Sequence, residues 1–350
     1  MGLALYRSLT TSLPALNESS AQIPSGFKSM LLQSYPHLRT RDRAVIEAAL
    51  KGYNDRIELP AGRAQSEFIA NAARFEDIGL FSSRYNSAIS HDVAPNGDVI
   101  IGFQIREVSQ IALDGEVIEN TAHDTGCVIP GDRAWHVRNP NGYLVLLLRV
   151  ASATLQRKLS ALLGADRAGL DLRQPSSTSV HRTMLRDAVF DFARELDDVD
   201  PNFLPSLVAN ATEDICIGML TCLSEPYLGA ERSPAAPSSV QLGRVEQYIV
   251  ANYAKPLTVE TLAEISGVSG RSVFRHFRSR YDSTPYQYLE RIRLDMAYVR
   301  LLACRDQNAV GSMALDCGFR SLRYFEQAYR NQFGKDPEPM LMDRSRRSRR

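Results

Sequence analysis

LAEISGVSGRSVFRHF, Leu262 to Phe277, sets a small residue, Ala263, four positions ahead of a glycine, Gly267, and MALDCGFRSLRYFEQAY, Met313 to Tyr329, repeats the device with Ala314 and Gly318. The pairing has a steric meaning. Where two helices cross closely, the first must offer a tiny side chain, the turn needs a residue that tolerates positive φ, and the second helix needs apolar residues on its inner face. In the first copy Thr258 can cap the opening helix, while Val273 and Phe277 face inward. In the second, Phe325, Ala328 and Tyr329 take the inward places, with one extra residue in the turn. The sequence therefore predicts two helix-turn-helix units.

The outer face of each second helix carries a different vocabulary. Arg271, Arg275 and Arg278 share one face by their spacing, with Phe274 beside them, and Arg323, Glu326, Gln327 and Arg330 do the same in the second copy. Arginine can grip guanine with two hydrogen bonds, glutamine can read adenine, glutamate can accept from cytosine, and an apolar group can touch a thymine methyl. One isolated arginine stripe is most simply a solvated helix face. Two stripes on two such cores point to duplex DNA. His276 stands where an apolar residue usually faces the first helix, and it reads as a packing histidine before a pH sensor.

Charge supports the same division. The net charge of the 350 residues is only +1, but from Ser238 onward there are 19 Lys/Arg against 12 Asp/Glu, a balance of +7, and the remainder carries 22 against 28. A basic C-terminal portion suits a polyanion, and the mildly acidic remainder has no such bias. The cut falls in ERSPAAPSS, Glu231 to Ser239, a Pro/Ser-rich linker. The expected domains are 1–230, a linker at 231–239, a DNA-binding domain at 240–340 and a disordered basic tail at 341–350, since the last seven residues are RSRRSRR.

Between about Phe68 and Val150 the texture is that of short strands rich in Val and Ile, broken at Asn96-Gly97, Asp114-Gly115, Pro130-Gly131 and Asn141-Gly142. Strands punctuated this regularly make a small barrel or sandwich. From Ala153 to Leu228 the pattern turns helical, with Leu185, Val189, Phe192 and Leu196 forming one stripe. Such stripes pack on their own chain or pair two subunits. The fold class expected is α+β, a barrel with appended helices followed by an all-α domain. The five cysteines lack any CxxC pair, YLVLLL is far short of a membrane span, and the N-terminus is a poor secretory signal, so a cytoplasmic location with no membrane partner is expected.

The basic portion resembles the DNA-binding domain of the AraC/XylS family of bacterial transcription activators. The resemblance rests on LTVETLAEISGVSGRSVFRHFRSRYDSTPYQYLERIRLDMAYVRLL and MALDCGFRSLRYFEQAYRNQFGKDP, with Arg275, Phe277, Pro285, Tyr288, Leu289, Arg293, Leu294, Gly318, Phe319, Tyr324, Phe325, Gly334 and Pro337 at matching places. It implies two helix-turn-helix subdomains joined by a helix over about Pro285 to Ala303. By position it gives Arg271, Phe274 and Arg275, then Leu322, Arg323, Glu326 and Gln327, as base-facing residues. Phe274 and Gln327 depart from the residues frequent there, so the operator is not transferable. The N-terminal portion is similar to the family's cupin-like sensor domain. That implies a small organic effector, aromatic or carboxylated rather than a sugar, a homodimer, and recruitment of RNA polymerase to a promoter.

A barrel could also house a metal oxygenase, but His91, His123 and His136 form no HxH pair, and a metal needs several converging donors. No cysteine sits in the PCHR setting of a methyl-accepting repair protein, and neither a phosphate-binding loop nor a nucleophile elbow occurs. No catalytic residue, metal or cofactor is expected. A sensor pocket needs apolar walls and a few directed polar groups. Arg84, Phe103, Arg133, Trp135 and His136 are the candidates, with packing or surface exposure as the plain alternative for each. A constitutive DNA-binding protein with a structural barrel is the remaining alternative to a sensor.

Overall fold

The computed structural model describes residues 30–50, 57–59, 66–122, 126–164, 180–223, 238–304 and 309–337. His123, the expected linker up to residue 237 and the tail at 341–350 lie outside the described residues. Packing divides the described residues into two units. Among those described, one takes in the residues up to 155 with 180–198 and 218–223, and the other takes in 156–164, 199–217 and those from 238 onward.

The first unit runs β1 (Pro36–Thr40), α1 (Arg43–Leu50), β2 (Ile57–Glu58), β3 (Phe68–Arg74), β4 (Ile78–Tyr85), β5 (Ile89–Val93), β6 (Asp98–Arg106), β7 (Ser109–Leu113), β8 (Glu116–Asn120), β9 (Cys127–Ile129), β10 (Trp135–Asn139), β11 (Tyr143–Ala151) and later α3 (Val180–Asp198). The strands form two antiparallel sheets, ordered β1-β3-β4-β11-β6-β9 and β2-β5-β10-β7-β8. Turn chemistry closes the hairpins as expected: Asp114 and Gly115 both adopt left-handed backbone, φ 53° and 83°, between β7 and β8.

Alternation decides what each strand residue meets. Along β6, Ile100 joins Ile111, Ile129 and Val137 between the sheets. Phe103 turns to the opposite face and meets Phe190 of α3, with ring centroids 5.7 Å apart. The guanidinium of Arg182, buried at the start of α3, donates to the carbonyl of Gly126.

The second unit takes residues from α2 (Ser152–Leu163) and α4 (Leu204–Leu223), then α5 (Ser239–Ala251), α6 (Val259–Ser266), α7 (Gly270–Tyr281), α8 (Pro285–Ala303), α9 (Val310–Asp316) and α10 (Leu322–Phe333). It has two cores. Leu262, Val273 and Phe277 pack with Val245, Ile249 and Leu289. Ala314, Phe325 and Tyr329 pack with Leu294, Ala297 and Leu301. Helix α8 thus lends Leu289 to one core and its later turns to the other, and so fastens two helix-turn-helix subdomains to one rod. Its start is fixed by Pro285 at the first turn and by a capping box of Thr284 and Gln287.

Candidate nucleic-acid interface

Both helix-turn-helix units are built as the steric argument requires. Thr258 caps α6, accepting from the N–H of Thr261 at 3.2 Å, and Gly267 ends that helix at φ 65° with its N–H on the carbonyl of Ala263. In the second unit Gly318 has φ 82°, and the N–H of Phe319 reaches back to the carbonyl of Ala314 at 3.0 Å. A Cβ on Gly318 would stand 2.4 Å from the carbonyl oxygen of Ala254, so the position is closed to side chains twice over, by backbone conformation and by space. The second helices, α7 and α10, are capped by Ser269 and Ser321. Sequence reasoning passed over these two serines. Their signal is a hydroxyl just ahead of each outward-facing arginine helix.

Each second helix separates two functions by face. On α7, Val273 and Phe277 are wholly buried, while Arg275 and Arg278 are exposed and Arg271 is half-buried. On α10, Phe325 and Tyr329 are wholly buried and Ala328 is nearly so, while Leu322, Arg323 and Gln327 are exposed and Glu326 is half-buried. Burying each aromatic ring contributes about 1.5–3 kcal/mol, and the exposed residues contribute little to folding. Phe274 is partly withdrawn, its ring edge-on to Tyr286 of α8 at 5.6 Å. Arg330, last of the α10 stripe, is tied to Asp336 at 2.6 Å. His276 is half-buried with its ring edge-on to Phe277, and burial pushes its pKa below the usual range although Glu246 opposes the shift.

Arg293 belongs with structure and not with the reading face. It is 7% exposed and donates from Nε to the carbonyl of Tyr253 at 2.7 Å and from its terminal nitrogen to that of Lys255 at 2.9 Å. Burial lowers even its pKa to about 10. The guanidinium supplies donors to the loop between α5 and α6 that no helix can satisfy.

The five residues nominated for a sensor pocket do not converge. Phe103 lies against α3, as described. Arg84, on β4, adds positive charge beside the Arg39–Glu67 ion pair. Arg133 pairs with Asp114 at the β7–β8 turn. Trp135 packs at the edge of the inter-sheet core. His136 faces away from that core, held between Ser90 Oγ at 2.8 Å and Asp92 Oδ1 at 2.6 Å.

Comparison with known proteins adds two family matches. A helix-turn-helix domain model matches residues 262–341, and an AraC-binding-like domain model matches residues 55–221. The chain is 32% identical over 147 residues to "XylDLEGF operon transcriptional activator 3" of Pseudomonas putida, covering 41% of this chain and 43% of that protein. It is 30% identical over 218 residues to a "Probable thc operon regulatory protein" of Rhodococcus erythropolis, covering 60% and 64%. The chain thus spans less than two thirds of the length of these curated relatives. Among solved structures, the DNA-binding domain of AdpA in complex with a target DNA is 34% identical, with 31% of this chain and 96% of that one covered and a TM-score of 0.28.

Proposed function

Because the chain belongs to the AraC family of transcriptional regulators, we propose that it binds duplex DNA sequence-specifically, with α7 and α10 each entering a major-groove segment. One observation carries this reading: in both helices the inner face is fully buried while Arg275, Arg278, Arg323 and Gln327 stand exposed on the outer one. Two such helices fastened to α8 should meet groove segments about one turn, roughly 34 Å, apart. Selection of bound duplexes from a random-sequence pool, followed by footprinting, tests it. Protection of two groove segments on one face supports the reading, and protection of a single segment overturns it.

The sensing half of the reading is that a small organic effector binds the strand unit and shifts the chain toward a DNA-competent arrangement. A dimer then occupies a promoter and recruits RNA polymerase, so that the protein acts as an activator. An effector does this only by binding the competent arrangement better than the idle one. The family matches to both portions support a protein that senses as well as binds. Sedimentation of the full chain, with and without DNA, tests the dimer, and a strict monomer in both conditions removes it.

A further inference from the structure

Two amides at one end of the space between the sheets have half of their hydrogen bonding unmet. Gln104 on β6 donates from Nε2 to the carbonyl of Arg106 at 2.7 Å, and Asn120 on β8 donates from Nδ2 to the carbonyl of Gly102 at 3.1 Å. A carbonyl can only accept, so each contact fixes which end of the amide is the NH2 and leaves the oxygen over. Both side chains are 2% exposed, and neither Gln104 Oε1 nor Asn120 Oδ1 meets a donor among the described residues. A carbonyl stripped of water and given no donor is destabilising, so such an oxygen calls for a partner.

The register places the two together. Gln104 stands opposite Val145, and Gly102 opposite Leu147, on the β6 face that looks between the sheets. Gly102 has no side chain, and a Cβ there would lie 3.4 Å from Asn120 Nδ2, so the amide of Asn120 rests over the gap. Asn120 pairs across the ladder with Ser109, whose buried hydroxyl donates to Asn139 Oδ1 at 2.5 Å. Strands β6, β7, β8 and β10 therefore bring three amides and a hydroxyl to one end of this space, and none of these four groups is charged.

We propose that this end is where the effector is recognised, and that its ligand is a neutral compound presenting at least two N–H or O–H donors, such as a carboxamide or a diol. The proposal rests on the sensor reading above and gives it a chemistry. A carboxylate would set its lone pairs against two carbonyl oxygens. An ammonium would be buried among dipoles with no opposite charge. His91, opposite Val137 on the inward face of β5, supplies no cation for an acid either, because burial, with His136 adding to it, drops its pKa to about 4. The chemistry differs from the aromatic acid that the family resemblance suggested.

The test compares matched probes by their shift in melting temperature on the full chain: benzamide against N,N-dimethylbenzamide, and resorcinol against 1,3-dimethoxybenzene, with benzoate as the charged comparison. The donor-bearing member of at least one pair should stabilise the protein where its methylated partner does not. Gln104→Leu and Asn120→Leu should each weaken that binding by about tenfold, the loss of one hydrogen bond. Benzoate acting as strongly as the donors, or no donor-bearing probe exceeding its methylated partner, overturns the proposal. The wild-type comparison decides this even if a variant fails to fold. Binding of wild-type chain to duplexes selected from a random pool is measured in parallel. Loss of DNA binding there refutes the regulator reading and leaves the probe preference standing. A stabilising probe that leaves DNA affinity unchanged refutes the sensor link.

Discussion

The side chain of Glu213, on α4, accepts the backbone N–H of Val259, the first residue of α6, at 2.8 Å. The same carboxylate takes the hydroxyl of Tyr286 at 2.6 Å and the ammonium of Lys158, which also reaches Glu260 at 3.1 Å. Lys158 and Glu213 are 5% and 4% exposed. Burial alone would lower the Lys158 pKa, but the Glu213 and Glu260 carboxylates together outweigh it and the pKa is raised. A negative side chain at a helix start meets N–H groups that the helix itself cannot satisfy. Glu213 therefore holds the first helix-turn-helix by its leading end.

Glu213→Ala should destabilise the second unit by about 3–5 kcal/mol, because it leaves the buried ammonium with only the more exposed Glu260 and removes the acceptor of the Val259 N–H and the Tyr286 hydroxyl. The paired change Lys158→Met with Glu213→Leu should cost less than the two single changes added together. Urea unfolding of all four chains measures the coupling. Strict additivity would show that the charges act separately.

Gly318→Ala should cost about 2 kcal/mol or more, from positive φ and from the clash with the Ala254 carbonyl. Gly243→Ala, in the interior of α5 with open space around it, should instead stabilise by about 0.5–1 kcal/mol. Thermal melting of the two variants should move in opposite directions.

Arg275→Ala and Arg323→Ala should each weaken DNA binding by about 1–3 kcal/mol and change base preference. Arg330→Ala should leave preference unaltered, because that side chain is engaged by Asp336. Selection from random duplexes with each variant reads the preference directly. Uniform weakening across sequences for Arg275 or Arg323 would assign them to phosphates.

Stability of the strand unit should depend on His91. The folded protein keeps its imidazole neutral down to about pH 4, whereas the unfolded chain protonates near pH 6.5. The contribution is complete above pH 6.5 and is lost as pH falls to about 4, by about 3 kcal/mol in total. His91→Phe should flatten the profile over that window. Trp135, the sole tryptophan of the chain, lies in this unit and gives a fluorescence signal for its unfolding. An unchanged slope in the variant would remove His91 as the cause.

The helix-turn-helix units were legible because their demands are local. Thr258, Ala314, Gly267 and Gly318 act on neighbours within a turn or two, and α8 spans Pro285–Ala303 as the family resemblance implied. The turn dipeptides of the strand unit were legible for the same reason. Phe103 was not, since a strand residue's partner depends on register and on which face a distant helix covers. Gln104 and Asn120 escaped notice because an unmet oxygen is a property of surroundings. Glu213 and Lys158 lie in stretches read only as helical stripes, and nothing local announces that residues 46 and 102 positions away complete their shell.

The two-faced build of α10 has an evolutionary consequence. Phe325, Ala328 and Tyr329 answer to folding, whereas Arg323 and Gln327 stand exposed on the opposite face. Selection can then rewrite the outer positions without first finding compensating changes in the interior. Gene duplicates built on this scaffold could diverge toward new operators through a handful of neutral-to-folding exchanges, while the inner positions stay under purifying pressure.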